Sequence, residues 1–509
     1  MLDMSPPTSQ VAPHALSSFV DQAMRAPATP ALASPDGAVT YGELHAMASD
    51  AAAHFARLGL RAGARTAVLG GKSPETIALV LACLLTGRPV LLPSVDLNPA
   101  VVHILLQHAG VEHVLAAEPF GEADVVRPSR DAGVGEPLLS HAVTGPQDIA
   151  LMLTTSGSTG LPKVVPITHR AILRFASWAS DRFDIGPGAN VLSYCGLNFD
   201  LSILEVWTTL MHGGCAVLVA HDRSTRREHL LDLILRHEVN VVQGVPMALG
   251  LLLDAADVRG CAVPSVRHTI LTGDAASMNL LARLPGPFER SEFYNVYGCT
   301  ETNDSFIHVI DVQRELERGA IPLGDPLPGV SALIVRDGQV LDGAGSGELW
   351  VSTPFQADGY LGRRSRDDGF AQQPGVQALE GHFRSRDLVR CDPTGMVFLE
   401  GRTDAQVKVR GVRVNLQAVE QALLTDPDVA EVAVVAVDDE LAGKRLIGIV
   451  RRRPGIQVDT MRLRARCARE LGRIAVPATI EVQDDALPKT PTGKVDRAAV
   501  RRIFQRGVS

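Results

Sequence analysis

The chain has 509 residues, a length that suits roughly three domain-sized units. Hydrophobic residues make up 46% of it and charged residues 21%, which excludes disorder and fibrous repeats. A net charge of -8 gives no general electrostatic reason to bind nucleic acid. Apolar runs such as Ile77 to Leu85 are too short to span a bilayer, and no basic start followed by an apolar core reads as a signal peptide. Seven cysteines without a CxxC pair point to a reducing, cytoplasmic compartment and argue against a zinc ribbon or a disulfide scaffold.

Residues 1–13, rich in Pro and Ser, read as frayed. From Ala15 to Leu115 helical periodicity alternates with short apolar runs: Thr66–Leu69 and Pro89–Leu92 as buried strands, Ile77–Leu85 as the helix between them. Residues 119–146 read as a loop, and Ile149–Leu153 as a strand entering a polar, Gly-rich turn. Segments 240–243 and 268–272 read as strands and 276–284 as a helix. From 330 to 400 the pattern is β-rich, with a hairpin around Val335-Arg336-Asp337-Gly338-Gln339-Val340, and a charged hairpin-like stretch, Gly401 to Gly411, follows. The remainder reads as a compact α+β unit: helix Leu416–Leu424, strands Val429–Val437 and Leu446–Val450, helix Thr460–Leu471. No internal repeat is visible. These patterns predict an α/β protein with a large multi-sheet N-terminal body (1–403, layered α/β plus a β-rich subdomain) and a small mobile α+β C-terminal lid (404–509).

Four strings can carry chemistry. In Thr154-Thr155-Ser156-Gly157-Ser158-Thr159-Gly160-Leu161-Pro162-Lys163, Gly lets the backbone approach a ligand, and N–H groups with hydroxyls make a cradle for phosphate oxygens that Lys163 can reach. It lacks the Walker A frame, and a plain flexible loop is the bland alternative. In Asn295-Val296-Tyr297-Gly298-Cys299-Thr300-Glu301-Thr302 the aromatic can stack on a flat base and Glu301 can hold Mg²⁺ with substrate phosphates, although a turn with a solvated Glu is also allowed. Arg384-Ser385-Arg386-Asp387 with Gly401-Arg402-Thr403-Asp404-Ala405-Gln406-Val407-Lys408 offers a carboxylate for a ribose diol, or an ordinary charged hairpin. Leu487-Pro488-Lys489-Thr490-Pro491-Thr492-Gly493-Lys494-Val495-Asp496-Arg497 fixes a turn with Lys494 at its tip, suited to charge developing on a transferring group, or else a solvated loop.

Lysine usage discriminates. Only six of the 49 basic residues are Lys, and Lys163, Lys408, Lys489 and Lys494 fall inside these strings; Lys72 and Lys444 do not. An ammonium on a flexible stem is not replaced by Arg where that geometry matters.

Together, and in this order, the strings resemble the adenylate-forming superfamily of acyl-CoA synthetases, luciferases and nonribosomal peptide synthetase adenylation domains. The likeness runs from Val39-Thr40-Tyr41-Gly42-Glu43-Leu44 to Lys494-Val495-Asp496-Arg497. It implies ATP and Mg²⁺ as cofactors. Thr154, Thr155, Ser156, Gly157, Ser158, Thr159, Gly160 and Lys163 would hold phosphate. Gly273, Asp274, Asn295, Tyr297, Gly298, Thr300, Asp387, Arg402 and Lys408 would hold the rest of the nucleotide, Tyr297 against adenine and Asp387 on the ribose. By the same likeness Glu301 is the metal ligand, Asp404 the hinge and Lys494 the catalytic lysine. Three positions depart from the usual pattern: Val164 and Arg386 where the family has Gly, and Asn415 where it has Glu.

Phe199-Asp200-Leu201-Ser202 resembles the segment where amino-acid-activating members place an Asp for the substrate ammonium. If 200–210 is helical, Asp200, Leu204 and Trp207 share one face, and a carboxylate there needs a cationic partner unless it serves as an N-terminal helix charge. The family's pocket positions fall on Asp200, Leu201, Leu204, Met247, Ile270, Thr272, Val296, Asp304, Ser305 and Lys494. They resemble, in part, stand-alone enzymes that load L-proline on a carrier protein. The implied activity is ligation: an aminoacyl adenylate is formed with release of pyrophosphate, then transferred to a phosphopantetheine thiol in natural-product or antibiotic biosynthesis. A proline-like or other small amino acid is favoured, with a basic or β-amino acid as the other case. The chain ends 12 residues after Arg497, so the carrier protein is expected in trans, with no nucleic acid or membrane partner. A D-alanyl carrier protein ligase and an acyl-CoA synthetase are the alternatives.

Overall fold

The computed structural model describes residues 16–121, 123–129, 144–155, 163–362, 369–370, 379–409, 412–439, 443–471, 473–490 and 495–506. The N-terminal stretch read as frayed, the tip of the Gly-rich turn and Lys494 lie outside them, as do the side chains of Asp404 and Lys408. The chain forms two compact units, Met1–Gln243 with Pro354–Arg366, and Gly244–Thr353 with Asp367–Ser509.

The first unit holds a six-stranded sheet in the order 124–125, 113–116, 66–69, 90–91, 149–155, 163–168. It is parallel except for its last pair. The helix after Thr66–Leu69 starts at Pro74, three residues before the apolar run, because Ser73 caps it and Pro is tolerated in its first turn. Ten of its residues are buried, so it is a core helix rather than an amphipathic one. The stretch 119–146 is not all loop: Asp124 and Val125 add a short edge strand. A second sheet in this unit places Asn190–Ser193 between Val241–Gly244 and Cys215–Leu218, parallel to both.

In the second unit His268–Thr272 pairs in parallel with Glu292–Cys299, which pairs antiparallel with Asn303–Val309. The helix expected at 276–284 is shorter, Met278–Arg283, starting where Ser277 accepts from Leu280 N–H. The β-rich region is an antiparallel five-stranded sheet in the order 339–340, 331–336, 345–352, 383–391, 397–402. Its first hairpin turns at Asp337 and Gly338, both at positive φ, as a two-residue hairpin loop requires. The C-terminal residues form the expected α+β arrangement: helix Leu416–Leu424 packs on Val429–Asp439, which pairs with Gly443–Arg452 and that in turn with Thr479–Gln483.

Residues 200–210 are not α-helical throughout. Ile203–Thr208 is π-helical, and its six residues are all buried. Thr208 and Thr209 donate their hydroxyls to the carbonyls five residues back, Ile203 O at 2.8 Å and Leu204 O at 3.2 Å, which fits the wider turn. The expected face of Asp200, Leu204 and Trp207 therefore does not form at 3.6 residues per turn. The fully buried carboxylate in this segment is Glu205.

Candidate active site

In the first unit the phosphate string sits on a hairpin. Thr155 lies directly opposite Lys163 in the antiparallel pair at the edge of the sheet, and 156–162 lie outside the described residues. The Lys163 ammonium lies 4.3 Å from the centre of the Tyr360 ring, within cation–π range. Val164 is fully buried among apolar residues, and its carbonyl accepts from Leu361 N–H at 2.9 Å. Packing thus explains Val where the family usually has Gly. Thr154 is also buried, and its N–H reaches Asn198 O at 3.5 Å, tying the phosphate strand to the turn that carries Asp200.

Asp200 is half-buried at the start of the π-helical segment, and its Oδ1 accepts from Leu201 N–H at 3.1 Å. Leu204 is buried and Leu201 half-buried.

In the second unit three of the residues expected to hold the nucleotide, Tyr297, Asp387 and Arg402, meet. The Tyr297 hydroxyl donates to Asp387 Oδ2, and Arg402 donates to Asp387 Oδ1 at 2.8 Å. Burial and the Asp387 charge push the Tyr297 phenol well up, so it stays a neutral donor. Asp387 N–H donates to Ser385 Oγ at 3.0 Å, and the Ser385 hydroxyl donates to Leu349 O at 2.7 Å. Arg386 has φ 66°, a left-handed conformation that explains why Gly is usual at this position. At Gly298 a Cβ would stand 2.3 Å from Asn303 O, so only Gly permits this approach of the two strands.

Glu301 is half-buried beside Cys299, whose thiol is pushed up by burial and the Glu301 charge. Thr300 is half-buried, and Cys299 Sγ lies 3.2 Å from Thr302 Oγ1. A single carboxylate among hydroxyls suits Mg²⁺ that keeps phosphate and water ligands. Among the described residues no group of three or more His, Cys, Asp or Glu could hold a metal alone. Asn295 gives its side-chain amide to Pro322 O at 2.7 Å, so that amide is engaged structurally. Gly273 has φ 79°, and the exposed Asp274 accepts from Ala275 N–H at 2.9 Å.

Of the pocket positions in this unit, Ile270, Thr272 and Val296 are buried on adjoining parallel strands, with Thr272 opposite Val296. Met247 stands in the first turn of Pro246–Arg259. Asp304 is half-buried opposite Gly298. Ser305 is fully buried, and its hydroxyl lies 3.2 Å from both Thr302 Oγ1 and Asn303 O.

In the C-terminal region Thr403–Ala405, with Asp404 at its centre, is a 3₁₀ turn, and Lys408 stands opposite Arg413 in the following hairpin. Lys489 pairs with Glu431 at 3.3 Å, and its backbone bridges Val495. Asn415 caps helix Leu416–Leu424 by accepting from Gln417 N–H at 2.9 Å. A Cβ on Gly401, at φ 139°, would stand 2.1 Å from Asn415 Nδ2, so the two positions fit as a pair.

Sequence reasoning missed one cluster. Lys72 donates to Ser193 Oγ at 3.0 Å, to Cys195 O at 2.8 Å and to Ser193 O. Glu205 Oε2 accepts from Cys195 N–H at 2.9 Å. Burial pulls Lys72 down to about 8 and pushes Glu205 up to about 7, each moderated by the other's charge. The available signals were a scarce lysine left unassigned and a single charge inside the apolar run Leu201–Met211.

No helix among the described residues is long and apolar enough to cross a membrane. The model of the AMP-binding enzyme family matches residues 19–361, and that of the AMP-binding enzyme C-terminal domain matches 418–494. The chain is 32% identical over 501 residues to phenyloxazoline synthase MbtB of a Mycobacterium species, covering 96% of this chain and 42% of that protein. It is 31% identical over 499 residues to an L-proline--[L-prolyl-carrier protein] ligase of Streptomyces coelicolor, covering 90% of this chain and 91% of that one. The fold matches Bacillus subtilis O-succinylbenzoate coenzyme A synthetase, solved with ATP and a magnesium ion, with TM-score 0.80 and 24% identity over 95% of this chain and 99% of that one. Its architecture is therefore that α/β fold, with a large N-terminal body of several sheets and a smaller C-terminal domain. By the extent of these matches and the order of its motifs, the chain belongs to the AMP-binding enzymes of the adenylate-forming superfamily.

Proposed function

We propose that this enzyme activates an amino acid with MgATP and loads it on a carrier protein supplied in trans. The substrate carboxylate oxygen attacks the α-phosphorus, the bond to the leaving phosphate breaks, and pyrophosphate departs. Lys494, on a lid formed by residues 404–509, lends its charge to that transition state, and the 154–163 hairpin with Lys163 holds the leaving group. Glu301 would hold the magnesium that accompanies ATP, and the ion would screen the phosphate charge. Tyr297 flanks the base, and Asp387, held by Tyr297 and Arg402, takes the ribose. The lid then turns about Asp404. The pantetheine sulfur attacks the acyl carbon, AMP leaves, and the thiol proton passes to solvent.

The observation that carries the amino-acid reading is Asp200, a half-buried carboxylate just before a fully buried segment. A substrate ammonium can pair with such a carboxylate, and an acyl group without an amine cannot. Likeness to the proline--carrier ligase over nearly its whole length supports the carrier acceptor. Leu201, Leu204, Met247 and Ile270 favour a small apolar side chain such as that of proline. Seven free thiols suit a cytoplasmic setting.

The test is an amino-acid panel in pyrophosphate exchange with wild type, Asp200→Ala and Asp304→Ala, with coenzyme A and pantetheinylated carrier as competing acceptors. Proline or another small amino acid should lead the panel, Asp200→Ala should abolish exchange, and Asp304→Ala should be mild. A severe Asp304→Ala loss points to a cationic substrate. Full activity of Asp200→Ala overturns the amino-acid reading.

A further inference from the structure

Lys72 and Glu205 lie far apart in sequence and converge on one short stretch of backbone. Lys72 stands in the turn after strand Thr66–Leu69, and Glu205 in the π-helical segment. Lys72 grips the end of strand Asn190–Ser193 and the Cys195 carbonyl. Glu205 takes the Cys195 N–H, so both backbone hydrogen-bonding groups of that residue, on its two flanking peptide units, are held by buried charges. The Cys195–Glu205 bond closes a loop of chain around Asp200, tying it from outside. Within the loop Phe199 N–H donates to Gly196 O at 3.1 Å, and the Ser202 hydroxyl donates to Phe199 O at 2.7 Å. The Gln243 side chain donates to Leu201 O at 3.2 Å from the neighbouring strand.

This arrangement is expensive for a merely structural clasp. Glu205 has no exposed surface, and its Oε1 makes no hydrogen bond of ordinary geometry among the described residues. Buried ion pairs are commonly replaceable by apolar residues without loss of stability. What a charged pair adds here is direction: each partner fixes specific backbone atoms, whereas apolar packing would leave the loop free to slide.

We propose that Lys72 and Glu205 are positioning residues that hold the 195–201 loop so that Asp200 presents its carboxylate to the substrate ammonium. This rests on the amino-acid reading given above. Neutralising the strap should loosen amino-acid binding while leaving the nucleotide subsite in place.

The experiment compares wild type, Glu205→Gln, Lys72→Met and the double variant K72M/E205Q. In pyrophosphate exchange, Glu205→Gln and the double variant should raise the amino-acid KM at least 10-fold, with the ATP KM within about 2-fold of wild type. Thermal unfolding should show the single variants less stable and the double variant largely recovered, because it leaves no lone buried charge. Amide hydrogen exchange should accelerate at least 10-fold for residues 195–201 in Glu205→Gln. A stable double variant with wild-type KM values and unchanged exchange at 195–201 overturns the proposal. Faster exchange at 195–201 in a protein whose wild type activates no amino acid would confirm the strap and refute the amino-acid reading instead.

Discussion

At the scale of single residues, departures from the family pattern have local physical causes. Val164 occupies a buried site, where a side chain packs better than Gly. Arg386 holds φ 66° without the freedom of Gly, which costs about 1 kcal/mol for an ordinary side chain. Arg386→Gly is therefore expected to raise stability by up to about 1 kcal/mol in urea unfolding; a loss of stability would mean that the Arg side chain holds the ribose hairpin. Lys163 rests on the Tyr360 ring. Tyr360→Leu should raise the ATP KM about 2- to 5-fold, the value of an exposed cation–π contact, and Tyr360→Phe should not. Equal effects of the two substitutions would assign the role to the hydroxyl.

At the scale of elements, caps and helix type decide what spacing alone does not. Asn415 stands where the family pattern usually has Glu, and its side chain caps helix Leu416–Leu424. Asn415→Ala should cost about 1 kcal/mol in urea unfolding, and Asn415→Asp should keep most of it. No loss in the Ala variant would place the helix start elsewhere. The π-helical turn at Ile203–Thr208 was not legible, because its cause is the fit of a wholly buried segment rather than an amphipathic pattern. Strand Ile149–Thr155, helix Leu416–Leu424 and the Asp337-Gly338 turn were legible, because apolar periodicity and turn chemistry act over a few residues.

At the scale of the whole molecule, the Lys72–Glu205 pair leaves a signature in stability against pH. Glu205 rises from 4.5 to about 7 on folding, and Lys72 falls from 10.5 to about 8. Between pH 4.5 and 7 the folded chain keeps a Glu205 proton that the unfolded chain has lost, so the pair's contribution to stability falls as pH rises. Between pH 8 and 10.5 the unfolded chain keeps a Lys72 proton that the folded chain has lost, so the contribution rises again. Tyr194, Cys195 and Asp200 also face the cluster, and burial together with the Cys195 and Glu205 charges keeps the Tyr194 phenol neutral over this range. Urea unfolding should show the stability of wild type relative to K72M/E205Q at its lowest between about pH 7 and 8, rising on either side. A maximum there would mean that the pair is not shifted in these directions.

The sequence by itself determined the α/β class and the family, because those signals are local strings in a fixed order. It also picked out Tyr297, Asp387 and Arg402, which the tertiary structure joins into one hydrogen-bonded group. Only the tertiary structure decided that Ser305 spends its hydroxyl on Thr302 and Asn303, that Lys489 pairs with Glu431, and that Lys72 and Glu205 both hold the backbone of Cys195. Burial and partner choice at these positions come from segments distant in sequence. A residue type states what a side chain can bond, and the fold decides what stands within reach of it.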